Sequence, residues 1–304
     1  MSSNPYQQAL TELSTIRDVL RYAITKMNQA DLFYGHGTDN AWDDALALIF
    51  DTLHLSHEQQ KILLDARLTT DEKKSLADLL LKRIDKRIPT SYLTKTAWFA
   101  DLPFYVDERV IIPRSPFAEL IETEFSPWIA PENVNRILDL CTGSACIAIA
   151  SAYYMPDAIV DAVDISEEAL AVAEINIKKF DMGEQVNLIQ SNLFENLLER
   201  QYDIIISNPP YVDKQDMDNL PEEFRHEPEL ALASGDDGLE ATTTILKQAS
   251  RYLSDNGILV VEVGNSQHAL MEKYPEVPFL WLDFARGGEG VFLLTKQQLQ
   301  QHNF

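Results

Sequence analysis

The chain has 304 residues, 45% of them hydrophobic, with 25 Lys+Arg against 48 Asp+Glu and a formal net charge of −23. Such a length buries a full core and has room for one α/β domain plus a smaller one, while the charge opposes any mechanism that depends on neutralising phosphates and favours a basic protein partner, with no direct nucleic-acid binding expected. No stretch approaches the roughly 18 apolar residues of a membrane span, and the N-terminal Met-Ser-Ser-Asn-Pro-Tyr lacks the regions of a signal peptide, so a cytoplasmic protein without membrane association is expected.

Residues from about 6 to 86 read as helices. Leu10, Leu13, Ile16, Leu20, Ile24 and Met27 recur at three- and four-residue intervals, then Leu46, Ile49, Phe50 and Leu53, then Leu76, Leu79, Leu80 and Ile84. A small helical domain over residues 1–90 follows. His54 and His57 stand three apart near a helix end, but no cysteine or carboxylate cluster with ligand spacing joins them, so no metal site is expected. From Tyr92 to Ile112 the pattern turns strand-like around Trp98-Phe99 and Phe104-Tyr105-Val106, with Asp101-Leu102-Pro103 as the turn, which predicts a linking β-hairpin over 91–112.

After Pro131 the chain alternates in the α/β manner. Seven apolar runs are strand candidates: Arg136–Cys141, Ile159–Ile165, Val186–Asn192, Tyr202–Asn208, Gly257–Gly264, Pro278–Phe284 and Gly290–Thr295. Helical stretches at Ala145–Tyr154, Glu167–Phe180 and Leu239–Leu253 lie between them. Strands joined by crossover helices imply a doubly wound, mainly parallel sheet over 113–304, with ligands at the carboxyl ends of its strands near the topological switch point. The two cysteines, Cys141 and Cys146, read as packing residues.

The first of these strands ends in Asp139-Leu140-Cys141-Thr142-Gly143-Ser144-Ala145-Cys146, a small-residue turn that lets a ligand approach the backbone. The second ends at Asp164, where a carboxylate suits a ribose hydroxyl pair. A dinucleotide site wants G-x-G-x-x-G to admit a pyrophosphate, and this loop has a single glycine, which disfavours NAD. Acidic residues at both strand ends fit a cationic, phosphate-free ligand better, and S-adenosylmethionine is such a ligand. The alternative is that Asp139 and Asp164 only cap nearby backbone N–H groups.

The fourth strand runs into Asn208-Pro209-Pro210-Tyr211. Two prolines fix φ and donate no N–H, so the backbone is stiff and offers carbonyl acceptors. Asn208 adds a side-chain carbonyl and Tyr211 a flat apolar face. Together they can accept both hydrogens of an –NH2 group and aim its lone pair elsewhere, which methyl transfer to an amide or an exocyclic amine requires. Directly afterwards comes an acidic run: Asp213, Asp216, Asp218, Glu222, Glu223, Glu227, Glu229, Asp236, Asp237 and Glu240 against only Lys214 and Arg225. It reads either as a solvated loop or as a docking surface for a basic substrate.

Asp139-Leu140-Cys141-Thr142-Gly143-Ser144, Asp164, Ser191-Asn192-Leu193-Phe194 and Asn208-Pro209-Pro210-Tyr211, in that order, resemble the class I S-adenosylmethionine-dependent methyltransferases of the protein N5-glutamine type. The likeness extends to Pro113-Arg114-Ser115-Pro116-Phe117-Ala118-Glu119-Leu120, to Glu227-Pro228-Glu229-Leu230-Ala231-Leu232 and to Gly235-Asp236-Asp237-Gly238-Leu239, and so to nearly the whole chain. It implies the class I fold with a seven-stranded sheet and a helical substrate-recognition domain before it. It also implies cofactor contacts from Asp139, Cys141, Thr142, Gly143, Ser144, Ala145, Asp164, Asn192, Leu193 and Asn208. Asn208, Pro209, Pro210 and Tyr211 would be catalytic, with Asn208, Pro209 and Tyr211 on the substrate. Ala145 stands where a glycine is usual, and Asn192 where an aspartate often receives the adenine amino group. The segment from Gly35 to Ala45, with Trp42, resembles the branch that modifies large-subunit ribosomal protein L three rather than the branch that modifies peptide-chain release factors. His36 within it reads as a substrate or domain contact. An adenine-N6 nucleic-acid methyltransferase, which uses the same tetrapeptide on a flipped base, and a non-catalytic ribosome-assembly module are the competing classes. The charge opposes the first and the intact Asn-Pro-Pro-Tyr the second.

Overall fold

The computed structural model describes residues 4–304. The chain forms two compact units: one comprises the described part of Met1–Ala97 with Val106–Glu108 and Pro221–His226, the other Trp98–Tyr105, Arg109–Leu220 and Glu227–Phe304. Among the described residues no helix is long and apolar enough to cross a membrane.

A two-stranded hairpin joins β1 (Thr96–Phe99) to β2 (Leu102–Tyr105). Its turn is Ala100-Asp101, both with positive φ, as a two-residue connection with the strands' own twist requires. The expected turn at Asp101-Leu102-Pro103 is therefore displaced: Leu102 and Pro103 already belong to the second strand. The larger unit is built on a seven-stranded sheet of β3 (Arg136–Leu140), β4 (Ile159–Asp164), β5 (Val186–Gln190), β6 (Tyr202–Ser207), β7 (Leu253–Glu262), β8 (Leu280–Trp281) and β9 (Val291–Thr295). The order is β5-β4-β3-β6-β7-β9-β8, parallel through β7 and antiparallel at β9 and β8. All seven expected strands are present, although the sixth shrinks to two residues. Ile204, Ile205 and Ile206 are fully buried because both faces of the central strands are covered, which is why these strands read as unbroken apolar runs.

From β3 the chain winds outward through β4 and β5 and returns to β6 on the other side of β3. The carboxyl ends of β3 and β6 therefore flank the crevice where connections diverge, with Asp139 opposite Ala162 on one side and Ile206 on the other.

In the helical unit, helices Pro5–Glu12 and Ile16–Gln29 break at Thr15 because a capping box forms there: Asp18 N donates to Thr15 Oγ1 at 3.2 Å and Thr15 N to Asp18 Oδ2 at 3.0 Å. Val19 and Ala23 are buried on the core face, whereas Ile24, expected there, is only partly covered. His36 is 6% exposed, its ring 4.5 Å from that of Phe224 in the same unit, so of the two expected roles, substrate or domain contact, the packing is that of a contact within the domain.

Below this core lies an ionic network. Arg83 Nε donates to Asp44 Oδ2 at 2.7 Å, its Nη1 to Glu223 Oε1 at 3.4 Å and its Nη2 to the Phe33 carbonyl at 3.0 Å. Glu223 Oε1 also accepts from Phe33 N at 3.0 Å and Arg87 Nη1 at 3.3 Å. Glu223 is thus no surface charge of the acidic run but the centre of a buried cluster, 2% exposed. Removing one member strands the others in a dry site. Arg83→Ala is expected to cost ~3–5 kcal/mol in urea unfolding followed by helical circular dichroism. Arg17→Ala, which removes a guanidinium from the exposed pair with Asp65, is expected to leave the urea midpoint nearly unchanged, because water and salt screen an exposed pair.

Candidate functional site

The loop after β3 is wound tightly. Cys141, Gly143 and Ala145 take φ of +61°, +55° and +61°. The Thr142 amide donates to the Val163 carbonyl and the Ala145 amide to the Thr142 carbonyl, both at 2.9 Å. Left-handed backbone costs Ala145 about 1–2 kcal/mol that glycine would escape, partly offset by its methyl, which is fully buried in the core and contributes roughly 0.8 kcal/mol. Beneath the loop, Asp139 is fully buried. Its Oδ2 accepts from Thr142 Oγ1. Burial pushes the Asp139 pKa up to about 7; the Thr142 hydrogen bond opposes the shift and the nearby Asp164 charge reinforces it. Burial also raises both cysteine thiols, Cys146 to about 12, which leaves them protonated near neutrality; Cys146 packs in the core, whereas Cys141 is only partly buried and reaches the cavity.

Asn176, on the helix Glu167–Phe180, holds this loop from behind. Its Nδ2 donates to the carbonyls of Ser144 at 2.9 Å and Tyr105 at 3.0 Å, and its Oδ1 accepts from the Tyr105 amide at 2.7 Å. Sequence reasoning missed it. An asparagine at a fully buried helix position is the signal that could have drawn attention to it.

Asp164 closes β4. Its Oδ2 accepts from the Gly143 amide at 2.8 Å and its Oδ1 from the Ser166 amide at 2.9 Å, so the carboxylate does cap backbone groups. Each oxygen keeps a second lone-pair direction for a ligand. After β5, Asn192 Nδ2 donates to Glu195 Oε1 at 2.8 Å, which commits the donor end of the amide and leaves Oδ1 as an acceptor. Leu193 beside it has φ +49°.

After β6, Ser207 Oγ donates to the Leu140 carbonyl at 2.8 Å, coupling the ends of the two central strands. Asn208 and Pro210 are partly exposed, and Pro209 is buried. Tyr211 is half-buried; its hydroxyl donates to Glu262 Oε1 at 3.0 Å and its carbonyl accepts from Ser266 Oγ at 2.7 Å.

These strand ends surround a cavity of about 390 Å³. Cys141, Gly143, Asp164, Asn192 and Leu193 line it together with Asn208 and Pro210. Asp139, Thr142, Ser144, Ala145, Pro209 and Tyr211 adjoin these residues in sequence without lining the cavity themselves. The rest of the lining comes from Arg109, Ile111, Leu230, Ala231, Ser234 and Thr244; Leu230 and Ala231 belong to the Glu227–Leu232 segment of the family likeness, whereas the other four carry no local sequence signal. Part of this lining follows Glu227, a second member of the acidic run that is not a surface charge. Arg114 grips it with two bonds, Nη1 to Oε1 at 2.6 Å and Nη2 to Oε2 at 2.8 Å, and the Ile112 amide donates to Oε1 at 3.0 Å. These donors lie over 110 residues upstream, beyond any local charge count. Among the described residues no group of His, Cys, Asp and Glu could hold a metal ion.

The Asp139 shift has a sign that can be measured. A carboxyl whose folded pKa is about 7 against 3.8 unfolded holds its proton more tightly when folded. Its contribution to stability is full below pH 4 and is lost as pH rises to about 7, at up to about 1.4 kcal/mol per pH unit. Asp139→Asn is expected to remove that slope, so urea unfolding at pH 5 and pH 8 should differ less in the variant than in the parent protein.

The family described as Methyltransferase small domain matches residues 125–238. A ribosomal protein uL3 glutamine methyltransferase of Francisella tularensis subsp. tularensis is 48% identical over 302 residues, covering 99% of this chain and 96% of that protein. A protein of the same description from Neisseria meningitidis serogroup A is 50% identical over 295 residues, covering 97% of each. Among solved structures, the hMettl16 catalytic domain superposes with a TM-score of 0.50 at 16% identity, covering 74% of this chain and 80% of that one. At such identity the likeness concerns the class I methyltransferase fold alone. Near-full-length identity of about half is a different order of relation, and by it the chain belongs to the ribosomal protein uL3 glutamine methyltransferases.

Proposed function

We propose that this chain transfers a methyl group from S-adenosylmethionine to the side-chain amide nitrogen (N5) of a glutamine in ribosomal protein uL3, the large-subunit protein L three, in the cytoplasm. The observation that carries the chemistry is that Asn208 and Pro210 share one cavity wall with Asp164 and Asn192. The family relation carries the acceptor.

The donor half of the cavity fits the cofactor by its chemistry. Asp164 offers lone pairs to the ribose hydroxyls, Asn192 Oδ1 an acceptor for the adenine amino group, and Leu193 an apolar face. The lining has one base, Arg109, and so no cluster of cations for a polyphosphate. Asp139, sealed under the loop, acts through its hydrogen bond from Thr142 rather than by contact with the ligand. When bound, S-adenosylmethionine supplies an electrophilic sulfonium methyl.

The rest is done by the protein. An amide nitrogen is a poor nucleophile because its lone pair is delocalised into the carbonyl. Asn208 Oδ1 and the Pro209 carbonyl accept its two hydrogens, which orients the nitrogen and favours pyramidalisation. The ring of Tyr211 flanks the amide while its hydroxyl stays committed to Glu262. Orientation is the main catalytic effect, and it can be worth an effective molarity of roughly 10⁵–10⁸ M. The nitrogen proton becomes acidic only once the new bond forms, so no strong base is required beforehand. Exposed Asp218, Glu229 and Asp236 remain to attract a basic acceptor.

Two outcomes test this reading. Asn208→Ala is expected to lower turnover by at least ~100-fold with cofactor affinity little changed, while Asp164→Asn weakens cofactor binding by ~1.5–3 kcal/mol in calorimetry. Equal loss of cofactor binding in the Asn208 variant removes its assigned role. For the acceptor, purified enzyme given uL3 and a peptide-chain release factor under matched conditions is expected to label uL3, with mass spectrometry locating the methyl on a glutamine. Exposed charges are screened beyond about 8 Å at physiological salt, so uL3 methylation is expected to slow as salt rises. Equal labelling of the release factor would overturn the acceptor.

A further inference from the structure

Glu262 ends β7, with its backbone fixed by pairing to Val291 of β9. It is 6% exposed and carries two hydrogen bonds: Oε1 accepts from the Tyr211 hydroxyl at 3.0 Å and Oε2 from Ser115 Oγ at 2.6 Å. Ser115 Oγ in turn accepts from the Phe117 amide at 3.2 Å, at the start of the helix Phe117–Glu122. Two residues past Glu262 the chain presses against the same ring. At Gly264 a Cβ would lie 2.6 Å from Tyr211 Cε2 and 3.0 Å from Cζ, closer than side chains approach, so the backbone there forms one wall of the tyrosine's slot. Next, Ser266 Oγ holds the Tyr211 carbonyl at 2.7 Å. Side chain and backbone of Tyr211 are therefore fixed by one segment, 262–266.

A buried carboxylate is an expensive way to fill space. An apolar residue at 262 facing a phenylalanine at 211 would bury the same volume without the desolvation penalty. What the carboxylate adds is direction: it fixes the ring by its hydroxyl. It ties that ring to the sheet on one side and to Ser115 on the other. We infer that Glu262 is a positioning residue, acting through the Tyr211 hydroxyl to hold the Asn208–Tyr211 turn in its reactive geometry. It does not touch the substrate. The inference rests on the methyl-transfer reading above.

The test compares turnover, acceptor KM and cofactor affinity of the full chain and its variants on uL3. Glu262→Ala is expected to lower kcat by about 10–100-fold, the scale of a misplacement near 1 Å, with cofactor affinity within about twofold. Glu262→Gln, whose amide oxygen still accepts from the tyrosine, should restore kcat to within about fivefold of the parent. Tyr211→Phe should lower kcat by a similar factor to Glu262→Ala, and the double variant by no more than Glu262→Ala alone, because all three remove the Tyr211–Glu262 bond through which the carboxylate acts. Should Glu262→Ala fail to fold, Ser115→Ala and Tyr211→Phe, each losing a single hydroxyl, carry the same comparison. Additive losses, an unchanged kcat in well-folded Glu262→Ala, or no rescue by glutamine would overturn the role. A parent enzyme that does not methylate uL3 sinks the underlying reading instead. The placement is then scored by the ¹⁹F resonance of fluorotyrosine-labelled protein, assigned by its absence in Tyr211→Phe. It should shift in Glu262→Ala and return in Glu262→Gln, and an unmoved resonance would overturn the inference.

Discussion

A carboxylate withdrawn from water costs several kcal/mol unless donors replace its hydration, and Glu227 meets that condition with three: both terminal nitrogens of Arg114 and the Ile112 amide. The planar guanidinium matches the carboxylate fork, which fixes direction as well as distance. Much of the candidate site depends on this clamp. The next residue in sequence, Pro228, starts the wall that faces the strand ends, and the next residue after Arg114 is Ser115, which supports Glu262. Two neighbouring side chains, Arg114 and Ser115, thus hold two buried acids, Glu227 beside the lining residue Pro228 and Glu262 beside Tyr211.

The acidic run has a different meaning once its members are separated. Glu223 and Glu227 are structural anions, each tied to arginines. Asp237 is paired with Lys273 at 2.8 Å, and Asp213 caps the helix Lys214–Asn219. The charge free to act on a distant partner is therefore smaller than the residue count suggests. It concentrates on a few exposed side chains, while the protein's overall negative charge is unaffected by these pairings.

How far the sequence could be read follows from the range of each interaction. Strand positions are legible because a strand buried on both faces must be apolar along its length, as Ile204–Ile206 is. The hairpin turn was misplaced because Pro103 looks like a turn residue, yet the backbone sets its turn with positive φ at Ala100 and Asp101, which residue type does not announce. The break at Thr15 was legible in principle from Thr-x-x-Asp but was masked by a leucine and isoleucine repeat running through it. In the site, Cys141, Gly143, Asp164, Asn192, Leu193, Asn208 and Pro210 reach the cavity because strand ends are set by topology. Thr142, Ser144 and Ala145 alternate away from it in a loop whose left-handed turns cannot be seen in composition. Arg109, Asn176 and Glu262 were invisible because their roles exist only through partners distant in sequence. For His36 the two alternatives, substrate or domain contact, stayed open for the same reason: the ring that buries it belongs to Phe224.

The helical unit takes Pro221–His226 from far down the chain, and this has a consequence for the order of synthesis. A ribosome releases the segment up to Ala97 well before it releases Glu223. Until then Arg83 and Arg87 lack the carboxylate that Glu223 brings between them in the finished fold. The first-born part of the protein is therefore the one that matures late. Its helices can form and collapse as they emerge, but the unit closes only after most of the parallel sheet has been made, so a fragment ending at Ala97 lacks a piece of its own core.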